Sequence, residues 1–306
     1  MKISVAMATY NGIEYVEEQL DSIRLQSLLP DEVVICDDAS NDGTADFIEE
    51  YIEKHSLEGW RVYRNRENIG FKKNFLSAVL KTQGDIIFLC DQDDVWYKEK
   101  IEKMSCVMDK NKEILSLCSS FDFIDAKGRC FLPEGVKSTS NYGFIRGKLK
   151  KSDISHINLK TVMHSNISPG CTTVIKKELK DAFCMSSNSI LPHDWELNLV
   201  AALKNGLYFY NQSLIGYRIH SSNTLGIDSA PKSRTEIASE KLCAAETLCR
   251  YTDFKANAVM QQRRLNALLN KSFVGVLKLF LTSREYAGYY SLKERVGDML
   301  FTLGDK

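Results

Sequence analysis

The chain has 306 residues, of which 44% are hydrophobic and 26% charged, a composition typical of a globular protein with one large domain and room for an appendage. Lysine plus arginine equals aspartate plus glutamate at 40 each, which argues against a nucleic-acid partner, because such a partner requires a basic excess. The nine cysteines are scattered without a C-x-x-C pair, as is typical of a reducing compartment, and no run reaches the length of a membrane-spanning helix. We therefore predict a cytoplasmic protein.

The first part of the chain alternates between strand and helix patterns. Short apolar runs predict four buried strands, at residues 3–8, 32–36, 60–64 and 85–89. Apolar residues at helical spacing predict three helices between these strands, beginning at Ile13, Thr44 and Phe71. Alternation of this kind predicts a parallel sheet with helices on its faces.

Polar residues follow three of these strands. They are Thr9, Tyr10 and Asn11 after the first strand, Asp37 and Asp38 after the second, and Asp91, Asp93 and Asp94 after the fourth. In open parallel sheets, ligands bind beyond the carboxyl ends of the strands. The crowded carboxylates of the last group repel one another unless a cation lies among them, and Mg²⁺ is held by carboxylates together with phosphate oxygens. A solvated acidic turn would explain the last group alone, but three polar strand ends on one edge predict a metal and phosphate site.

The start of the third predicted helix carries two cations, Lys72 and Lys73. Cations in the first turn oppose the helix dipole, so these lysines are either solvated surface residues or groups placed to meet an anion. No glycine-rich phosphate loop follows the first strand, which argues against a dinucleotide-binding or P-loop site. A metal on the acidic stretch is then the predicted way to hold a phosphate.

The second half carries weaker signals. Periodicity predicts a helix over 98–109 and strands over 114–121, 172–175, 206–210 and 215–219. Residues 133–160 lack periodicity and predict a long mobile loop of the kind that covers an active site. Asp194 begins a predicted helix, where it could be the N-cap, a general base, or both. His220 ends the last predicted strand and is either structural or a metal or pyrophosphate contact.

The C-terminal region is predicted to be helical. Residues 232–269 are highly charged and helix-forming, and residues 273–281 are apolar with basic residues nearby. This region could lie on a membrane surface, pack on the preceding domain or contact a second subunit. Because the net charge is balanced and the apolar run is short, we predict packing rather than membrane binding.

Six stretches of the chain resemble, in the same order, the motifs of bacterial family 2 glycosyltransferases. They are VAMATYNG (5–12), VICDDASNDGT (34–44), NRENIG (65–70), CDQDDVW (90–96), HDW (193–195) and YRIHSSN (217–223). The set is most similar to the rhamnosyltransferase-like members. The resemblance implies the GT-A fold, an α/β fold with a Rossmann-like, mostly parallel central sheet flanked by helices and followed by a C-terminal helical extension. It implies a glycosyltransferase domain at 1–226, with a nucleotide-sugar donor half at 1–97 and an acceptor half at 98–226, and a helical region at 227–306.

The resemblance also implies a role for each candidate site residue. Thr9, Tyr10 and Asn11 would border the nucleotide, Asp38 would accept a hydrogen bond from the nucleobase, and Asn68, Gly70 and Lys73 would line the donor pocket. Asp91 would contact the ribose or the sugar, Asp93 would bind the metal, His220 would complete the metal and pyrophosphate site, and Asp194 would be the general base. His193 stands where many relatives have glutamate, so the chain departs from the common pattern beside the base.

The function implied by the resemblance is an inverting sugar transfer that depends on Mn²⁺ or Mg²⁺. The donor would be a nucleoside-diphosphate sugar, such as a dTDP- or UDP-sugar, with rhamnose as one candidate. The acceptor would be a hydroxyl of a saccharide or lipid-linked molecule in surface polysaccharide synthesis. Peripheral contact with the inner face of the cell membrane, or a homodimer, through the C-terminal region is compatible with this function.

Two alternatives to this function remain open. A sugar-phosphate nucleotidyltransferase also uses an α/β sheet and Mg²⁺, but it usually has a glycine-rich basic loop after the first strand, and Thr9-Tyr10-Asn11-Gly12 is not such a loop. A protein that binds nucleotide-sugars without catalysis is the other alternative. The presence of Asp194 argues against it.

Overall fold

The computed structural model describes residues 1–133, 154–184, 191–220 and 232–304. The strands in these ranges are β1 (Ile3–Thr9), β2 (Glu32–Asp37), β3 (Trp60–Arg64), β4 (Ile86–Cys90), β5 (Val95–Trp96), β6 (Ser116–Ile124), β7 (Ile154–His156), β8 (Thr173–Lys176) and β9 (Leu207–Arg218). The helices are α1 (Val16–Arg24), α2 (Thr44–Lys54), α3 (Phe71–Lys81), α4 (Lys100–Lys110), α5 (Leu159–His164), α6 (Lys177–Cys184), α7 (His193–Leu203), α8 (Arg234–Leu248), α9 (Lys255–Leu269), α10 (Phe273–Thr282), α11 (Arg284–Tyr289) and α12 (Leu292–Leu303). A short 3-10 turn, Gly170–Thr172, leads into β8.

The described strands form one sheet in the order β3-β2-β1-β4-β8-β6-β9-β5, and β7 also pairs with β9. β1 runs parallel to both β2 and β4, and β2 runs parallel to β3. The longest pairing, β6 with β9, is parallel as well, whereas the four antiparallel pairings are short. The predicted α/β fold with a mostly parallel sheet is confirmed. This topology brings the carboxyl ends of β1, β2 and β4 to one edge.

Two hydrophobic cores lie on opposite faces of the sheet, because alternate residues of a strand point to opposite sides. Val5 and Met7 of β1 belong to the core formed with α1, α2 and α4. Ala6 of β1 and Leu89 of β4 belong to the core formed with α3, α5, α6 and α7. Burial on both faces explains why these strands have continuous apolar sequences.

The start of α1 differs from the prediction. Ile13 is 42% exposed and is not a core residue of the helix. The carbonyl oxygen of Gly12 accepts hydrogen bonds from the N–H groups of Tyr15 and Val16 at 3.1 and 3.0 Å. This turn delays the helix until Val16, so the loop after β1 is longer than the sequence indicated.

Two predictions in the second half also need correction. The strands predicted at 206–210 and 215–219 are one strand, β9, which stays paired with β6 across two irregularities in the register. The predicted loop at 133–160 ends early, because residues from Ile154 onward form β7, which pairs with β9, and then the start of α5. Residues 134–153 of that loop, residues 221–223 of the last motif and the domain boundary predicted at residue 226 lie outside the described residues.

The C-terminal helices pack on the preceding domain, as predicted. Ala244 and Leu248 of α8 belong to the same core as Trp195 of α7. The hydroxyl of Tyr251, in the turn after α8, donates a hydrogen bond to Oε1 of Glu196 at 2.8 Å. None of the described helices combines the length and the apolar character that crossing a membrane requires.

Candidate active site

Asp37, the last residue of β2, connects the ends of β1 and β2. Its Oδ2 accepts hydrogen bonds from the hydroxyls of Thr9 at 2.8 Å and Ser40 at 2.6 Å, and its Oδ1 accepts one from the N–H of Ser40 at 2.9 Å. The N–H of Asp38 donates to the carbonyl oxygen of Thr9 at 2.9 Å. Thr9 and Asp37 are both buried, so this pair fixes the position of the two strand ends.

Asp38, also buried, holds the loop that precedes α3. Its Oδ1 accepts hydrogen bonds from the side-chain amide of Asn65 at 2.8 Å and the N–H of Ile69 at 2.9 Å, and its Oδ2 accepts one from the N–H of Gly70 at 2.9 Å. Gly70 has a φ of 87°, which favours glycine, and its N–H also contacts Oδ1 of Asn68 at 3.0 Å. The structure therefore brings the predicted donor residues Asp38, Asn68 and Gly70 together. The nucleobase contact of Asp38 stays a prediction, and anchoring the loop is a second role that the sequence did not reveal.

The loop after β1 carries Tyr10 and Asn11 at the same edge. The Tyr10 side chain is 47% exposed, and the backbone of Tyr10 is held by the side-chain amide of Gln92. Asn11 has a φ of 47° and accepts a hydrogen bond on Oδ1 from the N–H of Asn41 at 2.9 Å. Gln92 was not among the predicted site residues, although its position between Asp91 and Asp93 was the available signal.

The carboxylates after β4 are crowded, and Asp94 is buried while Asp91 and Asp93 are half-buried. Ligand atoms of Asp91, Asp94 and Cys171 all lie within 4.8 Å of one another. Burial raises the pKa of Asp91 well above its usual range, and the charges of Asp94 and Asp93 raise it further. Burial and the Asp93 charge raise the pKa of Asp94 to about 7. These side chains are therefore held in an environment that disfavours their ionised forms and that a cation would relieve.

Asp93 and His220, the two predicted metal ligands, are in direct contact. Oδ2 of Asp93 lies 3.0 Å from Nε2 of His220. The imidazole of His220 lies 4.6 Å from the ring of Tyr15, measured between centroids. Two residues that are far apart in the sequence thus meet at one point of the sheet edge.

The ligand types of Asp93 and His220 suit a divalent cation better than those of the neighbouring cluster. Oδ2 of Asp93 and Nε2 of His220 are joined by a hydrogen bond, which a cation bound by both atoms would replace. In the neighbouring cluster the donor from Cys171 is a thiol, and burial with the charges of Asp94 and Asp91 raises its pKa well above the usual range. A protonated soft ligand does not suit Mg²⁺ or Mn²⁺.

Arg218 is the site residue with the most contacts among those that the sequence analysis did not predict. Its side chain is fully buried, Nε donates to the carbonyl oxygen of Asp93 at 2.6 Å, and its guanidinium pairs with Glu18. The N–H of Arg218 donates to Oδ1 of Asp94 at 2.9 Å. Its other guanidinium nitrogen binds carbonyl oxygens of the turn after β6. Arg218 therefore fixes the backbone of the acidic stretch. In the sequence, its position two residues before His220 was the only indication that it belongs to the site.

Asp194 lies in the first turn of α7 and is not its N-cap, because Pro192 occupies that position. Its Oδ2 accepts a hydrogen bond from the amide of Asn166 at 2.7 Å, and its Oδ1 accepts one from the N–H of Trp195 at 2.9 Å. The amide of Asn198 donates to Oδ1 of Asn166 at 3.2 Å, which orients Asn166. A buried carboxylate held in this way interacts favourably with the helix dipole and presents a defined set of lone pairs.

His193 precedes the base candidate and faces α3. Its ring stacks on Phe75 with 3.9 Å between centroids and an interplanar angle of 15°. Burial lowers the pKa of His193 and the charge of Asp194 raises it, the burial being the larger cause. The net lowering keeps the imidazole neutral near pH 7.

Of the two lysines at the start of α3, Lys72 is the one near the base candidate. Lys72 is half-buried, and its pKa is lowered by burial and raised by the charges of Glu196, Cys243 and Asp194. Lys73, which was predicted to line the donor pocket, is exposed. The donor contact of Lys73 stays a prediction, and Lys72 faces the start of α7 instead.

Comparisons with known proteins give a consistent result. The sequence model of the family described as Glycosyl transferase family 2 matches residues 4–165, more than half of the chain. The dTDP-rhamnosyl transferase RfbG of Shigella flexneri is 27% identical over 310 residues, which cover 97% of this chain and 97% of that protein.

Two solved structures show the same fold. The crystal structure of Staphylococcus aureus TarS 1-349 in complex with UDP-GlcNAc matches with a TM-score of 0.58 and 20% identity, covering 100% of this chain and 80% of that chain. The mannosyltransferase PcManGT of Pyrobaculum calidifontis, in complex with GDP-Man and Mn²⁺, matches with a TM-score of 0.51 and 15% identity, covering 99% of this chain and 86% of that chain.

Proposed function

The chain belongs to glycosyl transferase family 2, and we propose that it moves a sugar, with inversion and with a divalent cation, from a nucleoside-diphosphate sugar to a hydroxyl group. One observation carries the proposal. Asp93 and His220 meet at 3.0 Å beside the crowded carboxylates of Asp91 and Asp94, at the sheet edge that also carries the predicted nucleotide residues. The electrostatic field of Asp194 reaches this edge, because its charge contributes to the raised pKa of Asp91.

Asp93 and His220 would hold Mn²⁺ or Mg²⁺. The bound cation would act as a Lewis acid that neutralises the charge on the leaving nucleoside diphosphate. Arg218 keeps Asp93 in place through its carbonyl oxygen and keeps Asp94 in place through its own N–H. The protein therefore supplies a fixed frame for the diphosphate end of the donor.

Asp194 would be the general base. A sugar hydroxyl is a weak nucleophile until its proton is taken in the transition state, and a positioned carboxylate can take it. The amide of Asn166 donates to Oδ2 of Asp194 at 2.7 Å, which holds the carboxylate in one orientation. Neutral His193 adds no positive charge that would weaken the base.

One base and one cation suffice for a single displacement with inversion. Retention through a covalent intermediate needs a nucleophile close beneath the sugar. The motifs of the chain supply one base candidate, Asp194, and no further residue for that role.

We propose a dTDP-sugar, with rhamnose as the first candidate, as the donor. The support is the relative that spans 97% of this chain and is described as a dTDP-rhamnosyl transferase. UDP- and GDP-sugars are the alternatives, because the structural neighbours were solved with them. We place the chain in surface polysaccharide synthesis, with donor residues at 1–97 and acceptor residues at 98–226.

We propose that the acceptor is a lipid-linked saccharide. We also propose that the exposed faces of α10 and α12, whose other faces pack on the domain and on neighbouring helices, bring the chain to the membrane surface. Val274 and Leu281 of α10 are 74% and 71% exposed, and Leu300 of α12 is 62% exposed. Lys278 and Lys293 are exposed on the same two helices. Exposed apolar side chains next to cations suit an anionic lipid surface.

Titration calorimetry with UDP-, dTDP- and GDP-sugars, with and without Mn²⁺, tests the donor proposal. We expect tight binding of one nucleotide class that weakens when Mn²⁺ is removed. Binding of none of them would refute the proposed function. The anomeric configuration of the product, read by NMR, must be opposite to that of the donor.

The base assignment has a separate test. We expect Asp194→Asn to keep donor affinity within about twofold and to lower the rate of transfer by about 10³-fold, because general-base catalysis and its orientation are lost. Asp181→Asn, an exposed aspartate on α6, is the matched control and should transfer at the normal rate. Near-normal transfer by Asp194→Asn would show that another group is the base.

The membrane proposal is tested by sedimentation with lipid vesicles. We expect binding to vesicles that contain anionic phosphatidylglycerol and loss of binding in the variant Val274→Ser with Leu281→Ser. Light scattering in the same experiment detects the alternative. A stable dimer that the double variant dissociates would assign this surface to a second copy of the chain.

A further inference from the structure

The side chain of Gln92 joins two strand ends that are 82 residues apart in the sequence. Its Oε1 accepts a hydrogen bond from the N–H of Tyr10 at 2.8 Å, and its Nε2 donates one to the carbonyl oxygen of Tyr10 at 3.0 Å. A primary amide carries one acceptor and one donor side by side, so it pairs with both polar groups of a single backbone residue. This two-point contact, the Gln92 clasp, links the loop after β1 to the acidic stretch after β4.

Gly12 leaves the space that the clasp occupies. A Cβ on Gly12 would lie 2.3 Å from Cδ and from Oε1 of Gln92, closer than non-bonded atoms pack. The φ of Gly12 is not in the left-handed region, so its backbone does not require glycine. A side chain at this position would therefore displace the flexible end of Gln92 and open the clasp.

The neighbours of the two clasped residues give the clasp its position in the site. Gln92 stands between Asp91 and Asp93, the second of which contacts His220 at 3.0 Å. Tyr10 stands between Thr9 and Asn11, whose side chains bind Asp37 at the end of β2 and Asn41 in the loop after it. The clasp therefore connects the part of the site that would hold a diphosphate with the part that would hold a nucleoside.

On the basis of the proposed function, we propose that Gln92 is a positioning residue that fixes the distance and orientation of the Tyr10–Gly12 loop relative to Asp93. At this fixed spacing, the nucleoside and the metal-bound diphosphate of one donor molecule would be bound at the same time. Two subsites that bind connected parts of a ligand reinforce each other only when their spacing matches the ligand. The effect of Gln92 is therefore a coupling between the metal and the nucleotide.

Calorimetry on the full chain with Gln92→Met tests this coupling, because methionine keeps the length of the side chain and removes both hydrogen bonds. UDP and dTDP are titrated with and without Mn²⁺, and whichever binds the wild-type chain is used. We expect metal-free affinity within twofold of wild type. The increase in affinity that Mn²⁺ brings should fall about tenfold, the size expected for the loss of two hydrogen bonds.

Gly12→Ala disrupts the clasp from the other side. Its methyl group would push the amide of Gln92 away, so this variant should show the same loss of coupling. The double variant Gly12→Ala with Gln92→Ala should be no worse than either single variant, because the clash is then gone. Gln262→Met, the same change at an exposed glutamine of α9, is the control and should bind like wild type.

Results other than a selective loss of the Mn²⁺ effect in Gln92→Met would contradict the inference. An unchanged Mn²⁺ effect in Gln92→Met would show that the clasp positions nothing. A parallel fall in affinity with and without Mn²⁺, together with a lower melting temperature, would show a general structural role. If the wild-type chain binds no nucleotide, the proposed function fails and this inference fails with it, whereas a wild-type response retained in the variant refutes the inference alone.

Discussion

The carboxyl ends of β2 and β4 both carry adjacent aspartates, but the two groups are in opposite situations. Asp37 and Asp38 each accept three hydrogen bonds, from donors on the loops around them. At the end of β4, burial and neighbouring carboxylates raise the pKa of Asp91 well above its usual range and that of Asp94 to about 7. The first group is satisfied by the protein itself. In the second, burial and repulsion outweigh the attraction of the buried Lys100, and a bound cation can relieve both.

The two pairs of adjacent aspartates therefore have different roles, one in stabilising the fold and one in binding or catalysis. Buried carboxylates with a full set of donors stabilise the fold. Buried carboxylates that face one another destabilise it and are typical of sites that bind a metal or transfer a proton. Substitutions that remove a charge should therefore have opposite effects on folding at the two strand ends.

The largest effect is expected from Asp93→Asn at the β4 end. Asparagine keeps the shape of the side chain and a hydrogen bond to His220 but removes the negative charge that would hold the cation. We expect the kcat/KM of transfer with Mn²⁺ to fall by about 10³-fold, as for the loss of one main electrostatic contact in an active site. Asp109→Asn, an exposed aspartate paired with Lys112 at 2.6 Å, is the control and should transfer normally. A loss of less than tenfold in Asp93→Asn would mean that the metal is held elsewhere.

Asp38→Asn tests the β2 end. The amide has one acceptor oxygen and one NH₂ group, so at least one of the donors from Asn65, Ile69 and Gly70 loses its hydrogen bond to residue 38 and faces a second donor there. We expect the free energy of unfolding to fall by about 1–3 kcal/mol, measured by urea denaturation. Asp46→Asn, an exposed aspartate in a surface ion pair with Arg64, should change it by much less. Unchanged stability in Asp38→Asn would remove the contrast between the two strand ends.

The contrast also shows what the sequence could reveal. Buried parallel strands have continuous apolar sequences, so the four strands that carry the site were predictable, and their carboxyl ends located Asp38 and Asp93. The partners that distinguish these carboxylates come from distant segments. Gly70 lies 32 residues from Asp38, and Arg218 lies 124 residues from Asp94. Single-sequence patterns do not give such contacts, and for the same reason the clasp of Gln92 on Tyr10 and the continuity of β9 were missed.

A change in pH dependence, rather than a loss of activity or stability at one pH, is expected from Asp94→Asn. Because the pKa of Asp94 is about 7 in the folded chain and its ordinary value is 3.8, the folded chain keeps a proton that the unfolded chain loses between these values. Raising the pH from about 4 to about 7 therefore favours unfolding of the metal-free chain, by up to about 1 kcal/mol per pH unit from this group. Asparagine carries no titrating proton and can still accept the hydrogen bond from the N–H of Arg218. We expect urea denaturation with EDTA to show a flatter pH profile in the variant and, at pH 8, a higher stability than wild type. A variant that is less stable than wild type at pH 8 would mean that the Asp94 charge stabilises the fold, as the charges at the β2 end do, and the two strand ends would then differ only in their ligands.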